Sequence, residues 1–121
     1  EFIEGDIPAA GKPNSFDAIT MVEVLHEISP EIRQKVVNNC YRLLKKKGWL
    51  LIVDETYPSE TKDFRKQEYQ FPIQTAFEEL TWGNVLPTKG EQEKLIRSAG
   101  FKTNINRKII GEGFTILEVQ K

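Results

Sequence analysis

Acidic and titratable side chains follow each of three short apolar segments of the chain. They are Asp6 after the first segment, Glu23, His26 and Glu27 after the second, and Asp54 and Glu55 after the third. Carboxylates in such positions accept hydrogen bonds from an amine or a ribose hydroxyl. The imidazole of His26, with an ordinary pKa of about 6.5, can take a proton from a hydroxyl or an amine. The alternative is that the ends of strands are simply exposed and polar, and position alone leaves both interpretations open.

These side chains share one edge of a sheet if the apolar segments are parallel strands. Phe2–Ile7 is a short β-rich run, and Phe16–Leu25 and Trp49–Val53 are nearly continuous apolar runs, as in strands covered on both faces. About fifteen residues of helical pattern separate the last two, so the sequence predicts a βαβ unit with parallel strands. Ligands bind beyond the carboxyl ends of such strands. We therefore expect a site at this edge.

The connecting helix has recognisable ends. Ser29 is the expected N-cap and Pro30 the first helical residue, and Gly48 is expected just past the end. Lys45–Lys47 would then lie in the last turn as a solvated helix end, where cations suit the helix dipole. The residues expected on the buried face recur every four positions: Ile32, Val36, Cys40 and Leu44.

The remainder of the chain predicts an insert, a helix and a hairpin. Residues 60–87 are predicted to be two helical pieces broken at Pro72. Thr88 and Glu91 match a capping box, and a helix is expected to run from there to Ala99. Two strands, Phe101–Ile110 and Phe114–Gln120, should then form an antiparallel hairpin. The predicted fold class is a single α/β domain spanning residues 1–121.

Composition argues against several classes of protein. The 121 residues have a formal net charge of −1, which gives no electrostatic footprint for nucleic acid or for an anionic membrane. One cysteine and one histidine argue against a disulfide and against a metal site. The longest apolar stretch, Trp49–Val53, is far shorter than the roughly 20 residues of a membrane span. We expect a cytoplasmic protein.

Four motifs, in order along the chain, carry a resemblance to a known family. They are Glu4–Pro8 (EGDIP), Phe16–Ile19 (FDAI) leading to Glu23–Ile28 (EVLHEI), Tyr41–Val53 (YRLLKKKGWLLIV) and Ile96–Phe101 (IRSAGF). This pattern resembles the class I S-adenosylmethionine-dependent methyltransferases. The resemblance covers nearly all of the chain except the insert. It implies a partial Rossmann-like sheet, with strands three to seven of the family.

The resemblance implies S-adenosylmethionine as cofactor and methyl transfer to an acceptor. Asp6 matches the carboxylate that accepts from the adenine amine, and the backbone N–H of Ile7 would meet the adenine ring. Met21 and Val22 match positions whose backbone carbonyls face the methionine portion of the cofactor. His26 matches a position beside the pocket, where it would act as a catalytic base, line the pocket or pack structurally.

The chain also departs from the family pattern. It has no glycine-rich loop of the GxGxG type, and Gly111-Glu112-Gly113 lies in the late hairpin instead. The acidic residue after the family's second strand has no counterpart either. The chain opens without Met at what reads as the third strand, so we expect a fragment that binds the cofactor weakly or not at all and is inactive alone.

Substrate and partners follow from the same comparison. The insert, residues 60–87, falls where the family often builds a substrate cover, and its aromatic residues would line a pocket or form core. The acceptor is expected to be a small molecule.

The Phe16–Leu25 strand would present an unpaired edge and favour a homodimer. The alternative function is a non-catalytic interaction or assembly domain on the same frame. A nicotinamide-dependent oxidoreductase is disfavoured by the terminal hairpin.

Overall fold

A four-stranded mixed sheet forms the centre of the molecule. The computed structural model describes residues 4–111 and 113–121. Its elements are β1 (Phe16–Val22), α1 (Pro30–Leu43), β2 (Leu44–Glu55), α2 (Gln70–Thr81), α3 (Lys89–Ser98), β3 (Asn106–Ile110) and β4 (Phe114–Gln120). The sheet order is β1-β2-β4-β3, with β1 parallel to β2 and the other neighbours antiparallel. The predicted α/β fold, a parallel βαβ unit followed by an antiparallel hairpin, is confirmed.

The hydrophobic core lies between the sheet and the helices α1 and α3. Both apolar strands and both helices contribute to it. Side chains with 2% exposure or less include Val36 and Val37 from α1, Leu50 and Ile52 from β2, Ile96 from α3, Phe101, and Leu117 and Val119 from β4. Burial of such side chains removes apolar surface from water, which is the main favourable contribution to folding. The core thereby fixes β1 and β2 side by side.

The register of β1 against β2 changes near the start of both strands. Phe16 pairs with Leu44, but Ala18 pairs with Trp49, so two steps along β1 span five along β2. The extra residues form a bulge in which Lys47 has a φ of 65°. From Ala18 onward the pairing is regular as far as Val22 opposite Val53.

The end of α1 differs from the prediction. The helix stops at Leu43, and Lys45–Lys47 and Gly48 belong to β2 instead of the last helical turn and its cap. Pairing with β1 explains the difference, since Leu44 already faces Phe16 and Lys45 forms an ion pair with Asp17 at 2.8 Å. Tertiary pairing thus overrides a local helix-end signal.

The buried face of α1 also differs by one position. Ile32, predicted to be buried, is 39% exposed, whereas Arg33 is 5% exposed. The helix begins at Pro30 as predicted, although Ser29 makes no side-chain capping hydrogen bond. Arg33 turns inward because it finds three carbonyl acceptors near the ends of β1 and α2.

Three further predicted boundaries are wrong. The first predicted strand lies partly outside the described residues, and residues 4–7 form no strand. The segment after Phe101 becomes a strand only at Asn106. Pro72 lies in the first turn of α2, where its missing N–H costs no helical hydrogen bond, instead of separating two helices.

The insert combines two short 3₁₀ turns, Thr61–Arg65 and Gln67–Tyr69, with α2. Its aromatic side chains divide into two groups. Phe71 packs on Phe114 at 5.3 Å between ring centroids, whereas Phe77 and Trp82 are 75% and 70% exposed and lie outside the core. Within the described part of the chain, no helix combines the length and the apolar character that crossing a membrane requires.

Candidate active site

His26 and Asp54 meet where β1 and β2 end. The chain leaves β1 at Val22 and turns, which places His26 beside Asp54 near the end of β2. The His26 Nδ1 atom lies 2.6 Å from Asp54 Oδ1, and the two side chains are only 6% and 1% exposed. A hydrogen bond this short in a buried place holds the imidazole in a defined orientation.

Three backbone N–H groups hold the Asp54 carboxylate in place by hydrogen bonds. Asp54 Oδ2 accepts hydrogen bonds from the N–H groups of Leu25 at 2.7 Å and His26 at 3.3 Å, and Oδ1 accepts from Glu55 N–H at 2.8 Å. A carboxylate that accepts three backbone N–H groups presents an acceptor to the ring. Nδ1 of His26 therefore donates, and in the neutral ring Nε2 keeps the lone pair.

Helix α2 approaches the other side of the imidazole. Glu79 Oε2 lies 3.7 Å from His26 Nε2, with 13% of the Glu79 side chain exposed. Asn84 Nδ2 donates to the same Glu79 oxygen at 2.8 Å. One turn earlier in α2, the Thr75 hydroxyl donates to Glu55 Oε2. The insert therefore contributes two polar contacts to the edge where His26 lies.

Arg33 stabilises the turn that contains His26 by hydrogen bonds to backbone carbonyls. Its Nη2 donates to the carbonyl of His26 at 2.8 Å and to the carbonyl of Val85 at 2.5 Å, and its Nε donates to Ile28 at 2.8 Å. Val85 follows α2, so one guanidinium connects the His26 turn with the chain that leaves α2. Three carbonyl acceptors satisfy this buried cation, which forms no ion pair with a carboxylate of residues 4–111 or 113–121.

Burial and neighbouring charges raise the pKa of three groups at this edge. The hydrogen bond to Asp54 raises the pKa of His26, although burial opposes it. Burial raises the pKa of Glu55. Burial, followed by the negative charge of Asp54, raises the pKa of Glu23 to about 7. Perturbed titratable groups gathered in one place are typical of functional sites.

Glu23 has two further unusual features. Its backbone φ is 53°, in the left-handed region that non-glycine residues rarely adopt. Its Oε1 atom is buried and hydrogen-bonds none of the described residues, 4–111 and 113–121. Strained backbone and an unsatisfied buried oxygen both cost stability, and both are commonly tolerated at sites of function.

Of the four predicted cofactor-binding residues, two line a common groove and two are described apart from it. Asp6 and Ile7 lie in a turn that Asn39 anchors through a 2.6 Å hydrogen bond to the Ile7 carbonyl. Ile7 and Met21 both line an apolar groove of about 520 Å³ between β1 and α1. Val22 is 56% exposed at the end of β1. The structure thus brings Ile7 and Met21 to a common groove.

Sequence reasoning missed two residues of this site. Glu79 lies in an insert with no recognisable motif, and a glutamate on a surface helix gives no signal of its own. Arg33 lies in a helical stripe where a charged residue predicts exposure. Asp54 was identified as an acid at a strand end, but its pairing with His26 depends on the register of β1 and β2. Glu27, identified in the same way, is exposed.

Comparison with known proteins gives a family match and a curated relative. Residues 1–52 match the family model described as "Methyltransferase domain". A demethylmenaquinone methyltransferase of Thermotoga maritima is 41% identical over 78 residues, covering 62% of this chain and 32% of that protein. The chain thus spans about a third of the length of this relative.

Solved structures share the fold over almost the whole chain. A structure of PigF with SAH is 25% identical, with a TM-score of 0.75, covering 98% of this chain and 34% of that one. Human N-acetylserotonin methyltransferase, in complex with SAM, is 22% identical with a TM-score of 0.76, covering 100% of this chain and 33% of that one. The likeness to the human enzyme shows the fold. Together with the family match over residues 1–52 and the curated relative, it supports a likeness of this chain, in sequence and fold, to the class I S-adenosylmethionine-dependent methyltransferases.

Proposed function

We propose that the protein carrying this chain transfers a methyl group from S-adenosylmethionine to a hydroxyl or amine of a small-molecule acceptor, with His26 as general base. One observation supports this above the others. The buried His26–Asp54 pair, 2.6 Å apart, lies at the carboxyl ends of two parallel strands. Such edges are where open α/β sheets bind their ligands.

The chemistry of the strand ends fits this cofactor. S-Adenosylmethionine supplies, when bound, an electrophilic methyl group on a positively charged sulfur, and it also carries an ammonium group. Glu23 Oε1, buried and without a partner among the described residues, is an acceptor that a cationic donor can satisfy. We expect Asp6, Ile7, Met21 and Val22 to contribute to the same cofactor site.

In the proposed reaction the acceptor atom bonds to the methyl carbon, and the carbon–sulfur bond breaks with its electron pair left on sulfur. The acceptor proton passes to His26 Nε2. Asp54 stabilises the imidazolium that forms, because its carboxylate already bonds Nδ1. The insert, residues 60–87, covers the acceptor, since α2 places Thr75 and Glu79 at this edge.

The histidine–aspartate pair is tested by NMR titration. His26 is the single histidine of the chain, so its ring signals require no assignment. We expect a pKa above the ordinary 6.5 in the wild type, because Asp54, Glu79 and Glu23 all favour the protonated ring. In Asp54→Asn the pKa should fall, since the hydrogen bond and a negative charge are lost together. An unchanged pKa in Asp54→Asn would contradict the assigned orientation.

Activity is tested on the protein that carries this chain, with phenols and amines as acceptors. The rate should rise with pH as His26 loses its proton, and the rise should move to lower pH in Asp54→Asn. His26→Gln should lower the rate by roughly 10²- to 10⁴-fold. Glu78→Gln, an exposed change on α2, serves as the control. Failure to bind SAH, measured by calorimetry, would favour the non-catalytic alternative.

A further inference from the structure

A second cavity, of about 500 Å³, lies between the 3₁₀ turns of the insert, the start of α3 and the hairpin formed by β3 and β4. Lys89, the first residue of α3, and Arg107 of β3 both line it. We call it the hairpin cavity. None of the described residues that line it belongs to the site around His26. The hairpin cavity is therefore a separate place on the molecule.

The guanidinium of Arg107 hydrogen-bonds neutral oxygens. Its Nη1 donates to the Thr56 hydroxyl at 3.2 Å, and its Nη2 donates to Gln92 Oε1 at 2.7 Å. Both acceptors are buried, with 2% and 1% exposure. A guanidinium has five N–H donors, so these two bonds leave most of them unused. Within residues 4–111 and 113–121, the buried Nε atom has no hydrogen-bond partner.

The positive charge of Arg107 is costly in this place. Burial lowers the pKa of Arg107, which means that the surroundings disfavour the charged form. Arginine nevertheless stays protonated at neutral pH. A buried charge is normally paired, and an anion in the hairpin cavity would offset the cost of burying this one.

The acids near the hairpin cavity do not supply that anion. Four basic and three acidic side chains line it, so one positive charge is left over. Among the described residues, the nearby acids form their ion pairs with lysines, and Arg107 forms none. The pairs are Glu60 with Lys62 at 2.6 Å, Asp63 with Lys66 at 2.8 Å and Glu93 with Lys89 at 4.0 Å.

An oxyanion matches this arrangement. Carboxylates and phosphates accept strong charge-assisted hydrogen bonds from a guanidinium, whose planar fork fits their geometry. Lys89, with 54% of its side chain exposed, provides a mobile second cation. The volume of the cavity also lies in the range of small-molecule sites, roughly 300–1,000 Å³.

We propose that the hairpin cavity binds the oxyanion group, carboxylate or phosphate, of a small molecule, with Arg107 as its main contact and Lys89 as a second cation. The proposal does not depend on methyl transfer, because the cavity shares no described lining residue with the site around His26. Each proposal can therefore fail without the other.

NMR titration of the chain with inorganic phosphate and with malonate tests the proposal. Sodium chloride keeps the ionic strength constant, so general screening does not change during the titration. The chain has five arginines, and the Nε–H signal of Arg107 is identified by its absence from Arg107→Gln. We expect both oxyanions to shift this signal saturably and chloride to leave it in place. Tighter binding of malonate indicates a carboxylate ligand, and tighter binding of phosphate indicates a phosphorylated one.

Three substitutions identify the residues responsible. Arg107→Gln should weaken binding at least about tenfold, followed through the backbone signal of Thr115, which also lines the cavity. Lys89→Gln should weaken it by roughly threefold, because an exposed cation contributes less. Lys94→Gln removes the same charge from an exposed position of α3 outside the cavity and should leave the affinity unchanged.

Lys89→Gln is a change at an exposed position, so it tests the proposal even if Arg107→Gln does not fold. The absence of a saturable shift with either oxyanion would overturn the proposal. So would an equal shift with chloride, an affinity that Arg107→Gln and Lys89→Gln leave intact, or an equal loss of affinity in Lys94→Gln.

Discussion

Replacing Glu23 with Gln should stabilise the protein above neutral pH. Burial raises the pKa of Glu23 from 4.5 to about 7 in the folded state. A raised pKa means that the folded state binds the proton more tightly than the unfolded state does. The resulting stability is fully present below pH 4.5 and is lost as pH rises through about 7. Gln stays neutral and avoids this loss.

The size of the effect follows from the same pKa difference. A change from 4.5 to about 7 corresponds to at most about 3 kcal/mol. Glu23 is only partly buried, and water screens its charge, so we expect about 1 kcal/mol. Gln keeps the strained backbone φ of 53°, so backbone strain does not contribute to the difference.

Urea unfolding of the wild type, Glu23→Gln and the exposed control Glu78→Gln measures this effect. At about pH 8, the free energy of unfolding of Glu23→Gln should exceed that of the wild type by about 1 kcal/mol. At about pH 4 the difference should disappear, because both side chains are then neutral. His26 titrates in all three proteins, so only differences between them are compared.

Two outcomes would refute this reasoning. A Glu23→Gln protein no more stable than the wild type at high pH would mean that the carboxylate of Glu23 finds a favourable partner. A stabilisation of equal size at low and high pH would mean that packing, instead of charge, causes the effect. A similar pH dependence in Glu78→Gln would show that the measurement reports overall charge.

Two other substitutions test the framework of the site. Arg33→Met should lower the free energy of unfolding by about 3 kcal/mol and shift the His26 ring signals in NMR, because one buried and two partly buried carbonyls lose their donor; unchanged His26 signals would contradict the role of Arg33 in holding that turn. Leu50→Ala, at a position with 0% exposure, should cost about 2–5 kcal/mol in thermal or urea unfolding; a cost well below this range would mean that the core collapses around the cavity.

The sequence correctly predicts those elements in which the preference of a few neighbouring residues matches their surroundings in the folded protein. The apolar run Trp49–Val53 is a strand parallel to β1, as its composition indicates, although only Leu50 and Ile52 are fully buried and Trp49 is 40% exposed, so it is not covered on both faces as predicted. Thr88 and Glu91 form the predicted capping box, with Thr88 Oγ1 accepting from Glu91 N–H. In both cases the information lies within a few neighbouring residues. Such elements can be predicted from one sequence.

The site depended on contacts that no local pattern contains. His26 was identified from its position after a strand, but its partner Asp54 is 28 positions away along the chain. Glu79 approaches because α2 folds back over the strand ends, and Arg33 turns inward for carbonyls of distant segments. Three-dimensional pairing decides these contacts, and a single sequence does not reveal it.

The bulge at Lys45–Gly48 separates the start of β2 from the regular pairing that places Asp54 beside His26. Beyond the bulge, each residue of β1 has a set partner in β2, and adjacent residues of a strand point to opposite faces. If the bulge kept its size and Phe16 stayed opposite Leu44, deleting one residue between Leu44 and Trp49 would bring Glu55 to the position of Asp54 and invert the faces of Leu50 and Ile52. A bulge that instead becomes one residue shorter keeps Asp54 beside the imidazole, so this irregular segment can absorb a change in length far from His26.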